Sequence, residues 1–233
     1  GQSMDMDIFG PTGYLANGSA GLDIFDLASL TQQGNLLTPN HVNEISYNAP
    51  YAFLAADNGF WVMDLTYPRK PGLPAHLDTP QPAVSLVLNG GYAYVACPND
   101  GLRIMDISNP SAPFEAGAYA MPIELKQIAL DGNTLYAAAG TAGLRILDIS
   151  SPLVPQEIGS FTPLYGINRI AASGRHVYIA ADNGNLVIVD ISDPSAPEEF
   201  GVYDPPNQLY DGQSATVVAV QNNVVFLATI EPP

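Results

Sequence analysis

One segment recurs five times along this chain and limits what it can fold into more than any other feature. It reads GLDIFDLASL from Gly21, GFWVMDLTYPRKP from Gly59, GLRIMDISNPSAP from Gly101, GLRILDISSPLVP from Gly143 and NLVIVDISDPSAP from Asn185. Its aspartates, Asp26, Asp64, Asp106, Asp148 and Asp190, are separated by steps of 38, 42, 42 and 42 residues. A fixed period of that size means one supersecondary unit copied and stacked.

Each unit has the same four parts. A short apolar run comes first (MDIFG, NEISYN, SLVLNG, QIALDG, NRIAASG) and an aromatic strand second (GYLANG, YAFLAAD, YAYVAC, LYAAAG, VYIAAD). The GLxIxD strand is third, and a Pro-spaced turn leads to a fourth run (GNLLT, PAHLD, EAGAYA, QEIGSF, EEFGVY). These runs are short, rich in Val, Ile, Leu and Tyr, and broken by Gly, Asn, Asp and Pro, with no helical period. Asp57-Asn58-Gly59, Asn99-Asp100-Gly101 and Asp182-Asn183-Gly184 are tight-hairpin residues, because they accept the positive φ such turns demand. Four short antiparallel strands per repeat of about 40 residues predict an all-β chain and a β-propeller of four-stranded blades. Blades are expected at about 4–37, 42–77, 83–119, 125–161 and 167–203 of a single domain spanning 1–233. After a polar connection, ATVVAVQNN and VVFLATI repeat the first two parts only, giving a two-stranded partial sixth blade over 214–230.

The motif [L/V]-x-I-x-D-[I/L]-S-x-P-x-x-P, preceded by an aromatic strand and a DNG turn, resembles the LVIVD repeat proteins of bacterial and archaeal surfaces. The chain contains the string itself, Leu186-Val187-Ile188-Val189-Asp190. The resemblance runs over residues 4 to 203 and is looser in the first unit, where ASLTQQG replaces the Pro-spaced turn. It implies a propeller on an extracytoplasmic protein, often as one region of a longer architecture, and no catalytic residue. The residues themselves point the same way for Asp26, Asp64, Asp106, Asp148 and Asp190. Each ends a third strand just before the bend, where a carboxylate can accept backbone N–H groups in an Asx-type turn.

Charge narrows the partners. With 23 acidic against 7 basic residues the net charge is −16, so no Lys/Arg stripe exists to displace counterions from nucleic acid or to dock on an anionic membrane. No 18-residue apolar run and no signal-peptide pattern occurs, so a soluble chain without membrane insertion is expected. Cys97, the one cysteine, can form no intramolecular disulfide and ends an apolar strand, where it is expected to be a small buried hydrophobe.

Candidate sites follow from where the units differ. The connections TPNHVN, DTPQPAV, AMPIEL, TPLYGI and DPPNQLYDGQ vary while the strands do not, which makes His41, Glu124, Tyr165, Asn207 and Tyr210 the candidate interaction residues. Asp57, Asp100 and Asp182 recur at matching turns. They lack the D-x-D-x-D-G spacing of a calcium loop, so a hairpin role is expected rather than a cation ring. His41, His76 and His176 have no metal-ligand spacing, and no G-x-S-x-G, P-loop or G-x-G-x-x-G pattern is present. No metal, cofactor or catalytic residue is therefore expected, and Asn17-Gly18-Ser19 reads as a turn rather than a glycosylation acceptor. The edge formed by Val224, Val225, Phe226 and Leu227 is the candidate assembly surface. Three readings of the partial blade stay open: part of a longer propeller, completion by a strand from another subunit, or a closed five-bladed ring with an appendage. Together these features favour a non-enzymatic extracellular or cell-surface module for structure or protein interaction, partnered by protein and most simply by further copies of itself. A carbohydrate-binding propeller and an enzyme with a site at the channel mouth are the alternatives.

Overall fold

The computed structural model describes residues 5–36, 41–67, 72, 75–205, 214–221 and 224–230. Every regular element among them is a strand. The chain divides into two compact units, Gly1–Pro122 and Ile123–Pro233.

The first unit holds three antiparallel sheets. They comprise β1 (Asp5–Phe9), β2 (Thr12–Ala16), β3 (Leu22–Asp26) and β4 (Thr31–Leu36); β5 (Val42–Asn48), β6 (Tyr51–Ala56), β7 (Gly59–Asp64) and β8 (Ala75–Leu77); and β9 (Ser85–Asn89), β10 (Tyr92–Cys97), β11 (Gly101–Asp106) and β12 (Phe114–Ala120). The second unit holds β13 (Gln127–Asp131), β14 (Thr134–Ala138), β15 (Leu144–Asp148) and β16 (Gln156–Phe161), then β17 (Ile167–Ser173), β18 (His176–Ala181), β19 (Leu186–Asp190) and β20 (Glu198–Tyr203). It ends in a sheet of two strands, β21 (Ser214–Gln221) and β22 (Val224–Ile230). In all five four-stranded sheets spatial order follows chain order, a meander built by short turns.

The second and third strands are apolar on both faces because each face feeds a different core. On β6, Ala52, Leu54 and Ala56 join the cluster with Tyr14, Leu22 and Ile24, while Phe53 and Ala55 join the one with Leu86, Val95 and Met105. On β19, Val187 and Val189 pack with Tyr136, Ile146 and Ile170, while Leu186 and Ile188 pack with Val218. A strand sends successive side chains to opposite faces, so a stacked sheet needs apolar residues at both parities. That is the physical content of the Leu-Val-Ile-Val run. Each fully buried Val, Leu, Ile or Phe contributes roughly 1.5–3 kcal/mol.

Two further devices tie neighbouring sheets together. Side chains of the preceding sheet supply acceptors on the outer side of β5 and β17, beside the isolated bridges Gly18–Val42 and Gly140–Ile167. Asp5 accepts the Ile45 N–H at 3.1 Å, Asp7 that of Tyr47 at 2.6 Å, and Gln127 Oε1 that of Ile170 at 2.8 Å. The fourth strands β4, β12, β16 and β20 carry a bulge opposite the third, between Ile24/Phe25, Ile104/Met105, Ile146/Leu147 and Ile188/Val189, whereas β8 pairs with β7 without one. In each case the residue after the extra one is glycine: Gly34, Gly117, Gly159 and Gly201. Bulges bend a strand and re-aim it.

Candidate functional site

The repeated aspartates sit at the ends of β3, β7, β11, β15 and β19 and close the bends that follow. Oδ1 accepts the N–H two residues on from Thr66 (2.8 Å), Ser108 (2.9 Å), Ser150 (2.8 Å) and Ser192 (2.8 Å); Asp26 does the same for Ala28 (3.0 Å) and Ser29 (2.8 Å). The hydroxyls of Thr66, Ser108 and Ser192 donate to the same oxygen at 2.6 Å. These hydroxyl bonds, with the backbone N–H second, hold the Asp64, Asp106 and Asp190 carboxyls below the ordinary carboxylate range. Asp190 also takes a 2.8 Å bond from Arg175. A carboxylate so bound stays ionised and engaged, which suits a turn and not proton transfer near neutral pH.

The bend has a second task. In the second unit, the turn after β19 lies on the bulge of β16. A Cβ built on Gly159 would stand 1.8 Å from the Pro194 carbonyl oxygen and 3.4 Å from the Ser195 Cα. Gly159 is thus a seat for the next unit's Asp-Ile-Ser-x-Pro turn. Sequence reasoning passed over this residue, although a glycine eleven residues after Asp106, Asp148 and Asp190 was a visible signal.

The two-stranded sheet packs face-on against the fifth four-stranded sheet. Val218, with Val225 and Leu227 beside it, meets Ala180, Leu186, Tyr178 and Ile188. The edge Val224, Val225, Phe226, Leu227 therefore does not form one apolar surface. Alternation turns Val225 and Leu227 inward and leaves Val224 (53% exposed) and Phe226 (55%) on the other face with Val217 (52%). Among the described strands β22 pairs with β21, whereas its counterpart β18 pairs with both β17 and β19.

The described candidate loop residues each lie just ahead of a first strand. His41, just before β5, faces Asn43 Oδ1 across 3.1 Å from its Nδ1 and accepts the Asp57 N–H on its carbonyl. Glu124 is exposed ahead of β13, and Tyr165 is exposed ahead of β17, next to Leu164. Asn207 and Tyr210 lie outside the described residues. The Asp57 carboxylate accepts from Asn43 Nδ2 (3.0 Å) and that of Asp100 pairs with Arg103, while the backbone N–H of Asp182 donates to the Gly166 carbonyl. Among the described residues no group of three or more His, Cys, Asp or Glu could hold a metal ion. Cys97 is fully buried, and burial pushes its thiol up to about 11. One polar cluster had no sequence signal. The buried Asp23 carboxylate accepts side-chain amides from Asn17 and Gln32, both at 2.8 Å, and from Asn35 at 2.5 Å. Asn17 thus has its amide nitrogen bonded within the first sheet.

Four-stranded meanders that, within each unit, face one another across shared apolar cores are the construction of a β-propeller, and solved structures share it. The chain is similar to the computationally designed Ika8 protein, with a TM-score of 0.72 at 12% identity over 96% of this chain and 66% of that one. It is similar also to the β-propeller domain of Myceliophteria thermophila Cps50 (Swd1), with a TM-score of 0.70 at 16% identity over 88% of this chain and 72% of that one. The protein is a β-propeller; at such identities the likeness concerns fold alone. The chain spans less than two thirds of the designed protein's length. No curated protein matches it in sequence. The family model described as "LVIVD repeat" matches residues 82–121, 125–162 and 167–205, together half of the chain. The chain belongs to the LVIVD repeat family.

Proposed function

We propose that this propeller is a non-enzymatic protein-interaction module acting outside the cell, and that it docks protein at the exposed apolar face of its two-stranded sheet. The observation that carries this reading is the outward face of the two-stranded sheet, where Val217, Val224 and Phe226 are each more than half exposed. A contiguous apolar patch left exposed on a sheet face marks an interaction surface. Face-to-face contact between copies is the form of docking that needs no other protein. Support for a non-enzymatic role comes from the aspartates, whose carboxylates are engaged in their own bends. A net charge of −16 keeps a surface-exposed protein dispersed and fits the extracellular placement.

Sedimentation velocity from micromolar to millimolar concentration tests the reading. Association abolished by Val224→Lys with Phe226→Lys supports it. A monomer at millimolar concentration overturns it, because the exposed apolar face would then dock no second copy.

A further inference from the structure

The Asp23 carboxylate is 8% exposed, and its side-chain partners are neutral amides. Among the described residues no Lys, Arg or His forms an ion pair with it. At the same place on the third strand the other sheets carry Trp61, Arg103, Arg145 and Val187, so only the first sheet puts an anion there. A carboxylate taken out of water is ordinarily matched by a cationic side chain or a metal ion.

Strand register assembles the surroundings. Asn35 stands directly across from Asp23 on β4, Gln32 lies on the far side of the bulge, and Asn17 begins the connection from β2 to β3. The Asn17 and Gln32 nitrogens are 2.8 Å from the Asp23 oxygens and the Asn35 nitrogen is 2.5 Å from them. Two backbone carbonyls reach the same cluster: Ala20 O is 3.2 Å from the Asn35 nitrogen and Gly34 O is 3.3 Å from the Gln32 nitrogen. A half-turn of a terminal amide puts its oxygen where its nitrogen was. The three amides therefore close on Asp23 as donors when it stands alone and can present oxygens when a cation enters. Carboxylate, three amides and two carbonyls then make six oxygen ligands, with no nitrogen or sulfur among them. Gln32 and Asn35 are exposed, which leaves a way in from solvent.

We propose that Asp23, Asn17, Gln32 and Asn35, with the Ala20 and Gly34 carbonyls, bind one calcium ion in the first sheet. Calcium takes six to eight oxygens in adaptable geometry, whereas magnesium demands a stricter octahedron and keeps several of its waters. A single carboxylate among neutral oxygens places the dissociation constant at the weak end, about 0.1–1 mM. The ion ties the β2–β3 connection to β4 across β3. The proposal uses no residue of the interaction reading and stands or falls apart from it.

The test titrates calcium chloride into the full chain by calorimetry and follows Tm in EDTA, calcium and magnesium at matched ionic strength. One site is expected, with Tm raised by about 3–6 °C at a calcium concentration about ten times the dissociation constant. Magnesium should give a smaller rise. Asp23→Asn should remove both the calorimetric signal and the rise, and Asn35→Ala, which keeps the carboxylate, should weaken binding about tenfold. A parent chain that gives no calcium isotherm overturns the proposal and leaves the amides as a closed structural cage. A rise of equal size in magnesium or in Asp23→Asn is general screening of the −16 net charge and also overturns it. If Asp23→Asn does not fold, the parent isotherm and Asn35→Ala decide, and binding unchanged by Asn35→Ala counts against the site.

Discussion

Gly159 and Gly201 hold the same position in successive units, and the structure predicts opposite effects for the same substitution. In Gly159→Ala the new methyl would stand 1.8 Å from the Pro194 oxygen, where ordinary contact begins at 3.4 Å, so the turn or the bulge must give way. The obstacle is backbone held between two prolines, Pro194 and Pro197, and not the tip of a flexible side chain. Overpacking of this kind costs about 1–3 kcal/mol. The rigid obstacle puts Gly159→Ala in the upper part of that range. Loss of unfolded-state freedom on replacing glycine returns about 0.4–1 kcal/mol, leaving a net loss of about 2 kcal/mol. At Gly201 nothing lies within 4 Å, so only the favourable part remains, and Gly201→Ala should stabilise by about 0.4–1 kcal/mol. For a chain of this size the Gly159 loss corresponds to a Tm lower by roughly 4–8 °C. Urea unfolding followed by circular dichroism reads both variants, and amide exchange over 190–196 reports whether the turn has lifted. A Gly159→Ala protein as stable as the parent, or equal losses at the two glycines, would refute the seat.

Gly101 has φ +108° and an added Cβ would meet the Tyr119 oxygen at 2.2 Å, so Gly101→Ala should destabilise by more than 2 kcal/mol in urea unfolding; a smaller loss would show that the hairpin adapts. The Arg145 Nε is buried without a partner, whereas Arg103 Nε donates to Asp100 at 2.7 Å, three residues before it. Ala142 occupies that place before Arg145, and Ala142→Asp should raise stability by up to about 1 kcal/mol, the contribution of one hydrogen bond at a partly exposed site. The carboxyls of Asp64, Asp106 and Asp190 are depressed below the usual 3.8 in the fold, so their contribution is complete above the unfolded value and disappears as pH falls through the folded ones. Tm should therefore fall with acid from about pH 4 downward, less steeply in Asp190→Asn, and a decline already complete at pH 5 would contradict this. The Cys97 thiol, buried and raised to about 11, should stay unreactive to Ellman's reagent in the folded protein at pH 8 and release one equivalent in denaturant; rapid native labelling would mean that its blade opens.

The parts of this structure that were legible in the sequence are those whose physics is local or periodic. The Asp–Ser bend spans two residues, so Asp106, Asp148 and Asp190 announce it directly. The Leu-Val-Ile-Val run announces a strand with a core on each face, because only a stacked sheet needs both parities apolar. The seat at Gly159 is a contact across 35 residues, with Pro194, and no window of sequence contains both partners. Only its repetition at Gly117, Gly159 and Gly201 left a trace. The nest around Asp23 left none, since Asn17, Gln32 and Asn35 converge through the first sheet's register and recur in no other unit at those places. The edge Val224–Leu227 looked like one surface because composition ignores parity, although the period of two already assigns Val225 and Leu227 to the opposite face from Val224 and Phe226. The same parity makes Gly201 informative. At Gly159 bulge, glycine and turn are matched, and at Gly201 the same bulge and glycine recur in register.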